Sequence, residues 1–115
     1  PNLINSNKNT QQTYLDEALL YIQLNFQDNI SIMDIANHLS IDRSYLHRIF
    51  KRILNLSPQE YILNLKLEKA TELLSTTSLT IGDIARSVGY NDTMLFSKTF
   101  KKYKGCTPSR YRKFN

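Results

Sequence analysis

The segment Ile32-Met33-Asp34-Ile35-Ala36 returns 49 positions later as Ile81-Gly82-Asp83-Ile84-Ala85. The echo runs on. Leu39 matches Val88, and after a one-residue slip Phe50-Lys51 matches Phe100-Lys101, Ser57-Pro58 matches Thr107-Pro108, and Tyr61 matches Tyr111. A chain of 115 residues is long enough for one domain or two tightly linked subdomains with a modest core. The repeat therefore constrains it to two copies of one small unit.

Apolar residues recur at helical spacing, and no segment alternates with period two for long. Glycine and proline are few and stand at boundaries. These features predict an all-α fold of about seven helices, with two helix-turn-helix subdomains joined by a long linking helix. A first helix is expected from about Tyr14 to Phe26, with Leu15, Ala18, Leu19, Ile22 and Phe26 on one face. Ser31 with Asp34 reads as a capping box opening a short helix to Leu39. Asp42 caps a helix that buries Leu46, Ile49, Phe50 and Ile53. Ser57-Pro58-Gln59-Glu60 joins a serine cap, proline at the first helical position and a glutamate at the third. It opens the longest helix, to about Leu74, with Tyr61, Ile62, Leu65, Ala70, Leu73 and Leu74 available for burial. Thr80 with Asp83 repeats the cap, and Gly89 is placed to close that helix in a left-handed conformation. A helix from about Asp92 to Lys104 is expected to bury Phe96, Phe100 and Tyr103 and to end at Gly105. Thr107-Pro108 opens a last short helix.

The expected organisation is a linker end at 1–13, a first subdomain at 14–57, the linking helix at 58–75 and a second subdomain at 76–115. The polar start, without Met, reads as a linker end, and the chain is expected to be the carboxy-terminal piece of something larger. Each unit is a short helix, a tight turn and a second helix with a polar outer face, the outline of a helix-turn-helix. At ~1.5 Å per residue the linking helix spans roughly 25 Å. Two second helices on one face of duplex DNA need ~34 Å, one helical turn, and the offset of each unit makes that separation reachable.

The net charge of +5 is unevenly distributed. From Arg86 onward eight basic residues face the single acid Asp92, a net +7, whereas residues 1–85 carry seven basic and nine acidic residues, a net −2. A charge run is commonly just a solvated face. It also suits a phosphate-facing surface, because neutralising phosphates releases condensed counterions. No apolar run reaches the ~20 residues that span a bilayer, and the first residues do not read as a signal peptide. One cysteine, Cys106, excludes an internal disulfide, and two histidines give no zinc-ligand spacing. No cofactor, metal or membrane is expected, and the setting suits the cytoplasm. Paired carboxylates, a nucleophile-base motif and a glycine-rich phosphate loop are all missing, so an enzyme is not expected.

The residues now in view resemble the AraC/XylS family of bacterial transcription regulators. The match runs through Ile81-Gly82-Asp83-Ile84-Ala85, Gly89-Tyr90, Asp92, Phe96, Phe100-Lys101-Lys102, Gly105, Thr107-Pro108 and Tyr111-Arg112. The first unit matches through Asp34-Ile35-Ala36, Tyr45-Leu46, Arg48, Phe50-Lys51, Ser57-Pro58, Tyr61-Ile62 and Ala70. The resemblance covers roughly residues 14–114, the family's DNA-binding module. Three departures stand out. Asn55 replaces a usual glycine and tolerates the left-handed conformation. Lys66 replaces a common arginine, and Thr93 and Met94 replace small polar residues.

On the first unit's second helix, the residues left outside include Arg43, Ser44, His47, Arg48, Lys51 and Arg52. The resemblance implies base contact from Ser44, His47 and Arg48, in the half that enters the major groove. Arg48 is the leading candidate, since a guanidinium grips guanine O6 and N7 with two hydrogen bonds. A phosphate contact or a surface ion pair is the alternative. His47 reads either as a base contact or as a solvated side chain. In the second unit the resemblance puts Thr93, Met94, Ser97 and Lys98 near bases. Met94 fits a thymine methyl or fills a gap equally well. Arg43, Lys51, Lys101, Lys102, Arg110 and Arg112 are the expected phosphate contacts. Cys106 reads as structural, and His38 as a surface residue.

The expectation is sequence-specific binding of double-stranded DNA at an asymmetric site, by two units in successive major grooves, regulating bacterial transcription. RNA polymerase is a further partner, recruited or occluded, as is an N-terminal sensing or dimerisation domain of a longer protein. The competing reading is a helical module that binds a partner protein.

Overall fold

Caps and breakers mark out the helices of the computed structural model, which describes residues 3–114, with side chains from Asn9 on. Seven helices follow one another, with no strand among the described residues: α1 (Leu3–Asn25), α2 (Ile32–Leu39), α3 (Arg43–Leu54), α4 (Pro58–Thr76), α5 (Ile81–Ser87), α6 (Thr93–Lys104) and α7 (Pro108–Phe114). A 3-10 turn at Phe26–Asp28 follows α1.

The expected caps form as hydrogen bonds. The Ser31 hydroxyl accepts from Asp34 N at 3.0 Å, and Ser31 N donates to Asp34 Oδ2 at 2.8 Å. Ser57 and Glu60 build the same reciprocal pair at the head of α4. Each pair satisfies backbone donors that a helix start leaves without partners. Asn55 closes α3 at φ 59°, as its departure from glycine allows. Ser40 also sits in the left-handed region, at φ 58°, although its counterpart in the repeat is Gly89 at φ 96°.

The chain forms two compact units. The first comprises α1 with Ile30–Ile62, and the second Phe26–Asn29 with the chain from Leu63 on. In the first, α1 buries Leu15, Ala18 and Ile22, α2 buries Ile35, Ala36 and Leu39, and α3 buries Leu46, Ile49 and Phe50. Each fully buried Leu, Ile or Phe contributes ~1.5–3 kcal/mol relative to exposure. In the second, Leu67, Ala70 and Leu74 of α4 are buried, together with Ile84, Ala85 and Val88 and with Phe96 and Phe100 of α6.

One packing device appears twice. Phe50 meets the edge of Tyr61 at 6.0 Å between ring centroids, and Phe100 meets Tyr111 in the same way at 5.6 Å. In both copies a buried proline, Pro58 or Pro108, stands three residues before the tyrosine. The sequence repeat is therefore a repeat of packing.

Three expectations need correction. Helix α1 begins at Leu3 rather than about Tyr14, so residues 3–13 are helical, while residues 1–2 lie outside the described residues. Extending a formed helix costs far less than starting one. Side chains support the extension: Gln12 donates to Asp16 at 2.9 Å, Thr13 to the Asn9 carbonyl at 2.9 Å, and Arg52 of α3 to Gln11 at 2.7 Å. Tyr103 is not buried but 53% exposed, with the Lys102 ammonium 5.4 Å from its ring centroid; Phe100 makes the aromatic contact with α7 instead. Finally, α4 is not a segment apart. The boundary between the units falls within it, after Ile62.

Candidate nucleic-acid interface

Helix α3 carries its charge on one side because its other side is filled by Leu46, Ile49 and Phe50. Asp42 accepts from Tyr45 N at 2.7 Å and fixes the start of the helix. Ser44, Arg48 and Lys51, spaced i, i+4, i+7, form one exposed row, with Arg43 and His47 exposed beside it. The Arg48 guanidinium lies 5.5 Å from the Tyr45 ring centroid. None of the ion pairs among the described residues involves a cation of α3. An open cleft of about 600 Å³ runs along this face, lined by Met33, Arg43, Ser44, His47, Arg48 and Gln59.

Helix α6 repeats the layout with an offset of fifty. Met94, Lys98 and Lys101 take the positions of Ser44, Arg48 and Lys51 and are likewise exposed, Met94 to 67%. Exposure on that scale removes the gap-filling reading of Met94. Thr93 and Ser97 are half-buried. Asp92 accepts from both Met94 N and Leu95 N, and Gly105 ends the helix at φ 87°.

The phosphate candidates separate. Lys101 and Arg110 line an open cleft of about 610 Å³ together with Cys106, Thr107, Lys113 and Phe114. The Arg110 guanidinium and the Lys113 ammonium lie 5.3 and 5.6 Å from the Phe114 ring centroid. Lys113 and Phe114 escaped the sequence reading; an aromatic four residues after an arginine was the available signal. Lys102 leans on Tyr103 at the edge of the exposed row.

Arg112, one of the expected phosphate contacts, makes hydrogen bonds within the chain. Its Nε donates to the Leu74 carbonyl and its Nη2 to the Thr77 carbonyl, both at 3.2 Å, and the residue is half-buried. The last carbonyls of a helix lack intrahelical donors, and a planar guanidinium supplies several at once. Lys104 is similarly engaged, with Glu68 at 2.7 Å. Lys66 is half-buried with its ammonium 5.2 Å from the Tyr90 ring centroid. Burial pushes the Lys66 pKa down and the Tyr90 pKa up.

A helix-turn-helix domain family matches residues 35–113. The raffinose operon transcriptional regulatory protein RafR of Pediococcus pentosaceus is 44% identical over 106 residues, covering 92% of this chain and 38% of its own length. The HTH-type transcriptional activator AarP of Providencia stuartii is 35% identical, covering 93% of this chain and 81% of its own. An AraC-type DNA-binding domain-containing regulator from Chromobacterium violaceum superposes with a TM-score of 0.80 at 34% identity, covering 88% of this chain and 90% of that one. The chain belongs to the AraC-type helix-turn-helix family.

Within that family, the chain's departures now have physical readings. Asn55 keeps the left-handed turn. Lys66 forms no ion pair among the described residues and rests on Tyr90 instead. Met94 presents an apolar group in the exposed row of α6, where Ser44 presents a hydroxyl in α3. Among the described residues no helix is long and apolar enough to cross a membrane.

Proposed function

We propose that the chain binds double-stranded DNA with sequence preference, each unit placing its second helix in a major groove, and that it thereby regulates bacterial transcription. The observation that carries this reading is the matched pair of exposed rows, Ser44–Arg48–Lys51 and Met94–Lys98–Lys101, on helices whose opposite sides are buried. In a helix-turn-helix the amino-terminal half of the second helix meets base edges. Ser44, His47 and Arg48 are assigned to bases in the first unit, and Thr93, Met94, Ser97 and Lys98 in the second. Arg43, Lys51, Lys101, Lys102 and Arg110 are assigned to phosphates, joined by Lys113. Because the two rows differ in chemistry, the preferred site is asymmetric.

The relatives' names support the regulatory part. RafR is named as a regulator of the raffinose operon, and the chain spans 38% of its length. The rest of such a protein is the natural place for a sensing or dimerisation domain, and RNA polymerase is the partner through which bound protein acts. A chain of this kind works beside the chromosome, in the cytoplasm, without catalysis.

The test is titration of duplex DNA at several salt concentrations. Five to nine phosphate contacts give a log–log slope of about −4 to −8. Binding that is flat in salt, or no binding to any duplex, would point to a protein partner instead.

A further inference from the structure

The two units are not equal at the place where the first helix of a helix-turn-helix passes the DNA backbone. The repeat aligns Gly82 with Met33 and Arg86 with Asn37. A Cβ built on Gly82 would stand 3.4 Å from Arg86 Nη1, 3.7 Å from Arg86 Nη2 and 3.6 Å from Thr93 Oγ1. The guanidinium of Arg86 therefore lies folded back along α5 beside the glycine, whose Cβ position Thr93, the first residue of α6, also approaches. Asp83 holds it there, its Oδ1 accepting from Nη2 at 2.5 Å. The Arg86 side chain remains 61% exposed, and Nη1 makes none of the hydrogen bonds seen at this residue. In the first unit the corresponding residues of the first helix are Met33 and Asn37, and the cation nearby is Arg43, which stands where the second unit has Thr93.

We propose that Arg86 is a phosphate ligand of the second unit, seated beside the base-reading end of α6 by the gap that Gly82 leaves. This rests on the duplex-binding reading above. The first helix of such a motif crosses the sugar-phosphate backbone while the amino terminus of the second meets the bases. A guanidinium beside Gly82, the residue of α5 whose Cβ position also faces Thr93, lies next to the junction of those two tasks. Its planar donors meet a phosphate in a fixed orientation, and the exposed pair with Asp83 is weakened by water, so the guanidinium can take a second anionic partner. Arg86 contacts no base in this arrangement, so it adds grip and register without sequence preference.

The experiment compares the 115-residue chain with its variants on a preferred duplex, obtained by selection from random DNA, and on a mixed-sequence duplex. Thermal unfolding of each variant confirms its fold. Arg86→Ala is expected to weaken both duplexes alike, by about threefold to tenfold at low salt, and to make the salt slope shallower by about 0.9. Arg86→Lys should keep the slope. Gly82→Met, which installs the residue of the other unit, should reproduce Arg86→Ala by displacing the guanidinium. Adding it to Arg86→Ala should then change nothing further. Gly82→Ala should bind normally, since its methyl would make ordinary contacts. An unchanged slope in Arg86→Ala on a parent chain that binds duplexes overturns this assignment alone. Additive losses from Gly82→Met and Arg86→Ala overturn the seating by the glycine. A parent chain without salt-dependent duplex binding overturns the functional reading and this assignment with it.

Discussion

Arg48 and Arg112 look alike in a sequence, yet their surroundings differ. Arg48 stands exposed in the row of α3 with only the Tyr45 ring beside it, whereas Arg112 lies half-buried on the carbonyls of Leu74 and Thr77. Arg48→Ala is expected to relax preference at one site of the target and to cost ~1–3 kcal/mol of specific binding. Competition between specific and mixed duplexes measures it, and equal losses on both would refute base reading. Arg112→Ala should instead lower the unfolding free energy by about 1.5–3 kcal/mol, the range for hydrogen bonds that involve a charged group. Its folded fraction should bind DNA as the parent does. The left-handed positions supply a second contrast. Ser40→Gly should stabilise the chain by up to about 1 kcal/mol. Gly89→Ala should destabilise it by roughly 1–3 kcal/mol, because a methyl there would meet the Phe26 and Gln27 carbonyls at 3.1 Å as well as requiring φ 96°. Denaturant unfolding of the two variants checks both signs. The exposed row on each second helix was legible from periodicity, but the fate of Arg112 was not. Its partners lie 35 and 38 residues away, and nothing local to Tyr111-Arg112-Lys113 distinguishes a clamp from a surface charge.

At the level of the helix, the ends proved more legible than the faces. Ser31, Asp42, Thr80 and Asp92 each cap the helix their chemistry announces. The start of α1 was not legible, because Asn, Ser, Gln and Thr suit a solvated helix turn as readily as a coil once the helix is nucleated downstream. Two end-of-helix carboxylates also tie stability to pH. The Ser57 backbone N–H holds the Glu60 carboxyl below its ordinary range, and the Arg86 hydrogen bond does the same for Asp83. A carboxylate whose pKa is lower folded than unfolded stabilises the fold fully above the ordinary value of ~4 and loses that contribution as the pH falls through the folded value. The unfolding midpoint should therefore drop as the solution is acidified below about pH 4. Glu60→Gln retains an acceptor for Ser57 N but does not titrate, so it should remove part of that drop. An identical acid profile in the variant would count against the role given to Glu60.

For the molecule as a whole, charge and packing divide differently. Packing follows the repeat, with the same Ala in the first helix, the same left-handed turn and the same edge-on Phe–Tyr pair in each unit. Charge does not follow it, since the residues from Arg86 on carry +7 and the earlier ones −2. Neutralising Lys101 and Lys113 together should flatten the salt slope by nearly two, whereas neutralising Lys69, beside Glu72 on α4, should leave it unchanged. Titrations across a salt series decide between these outcomes. The repeat made the architecture readable before any coordinates. The division of α4 between two cores was hidden, because Tyr61, Ile62, Leu67, Ala70 and Leu74 form one continuous apolar pattern that does not say which neighbour each residue meets.

The twin aromatic clasps give the chain an internal yardstick. Shortening Tyr61 and shortening Tyr111 are the same chemical injury inflicted on two halves of one polypeptide, under one solvent and one temperature. Any difference between the two losses of stability compares the two copies of the clasp directly, with no second protein required.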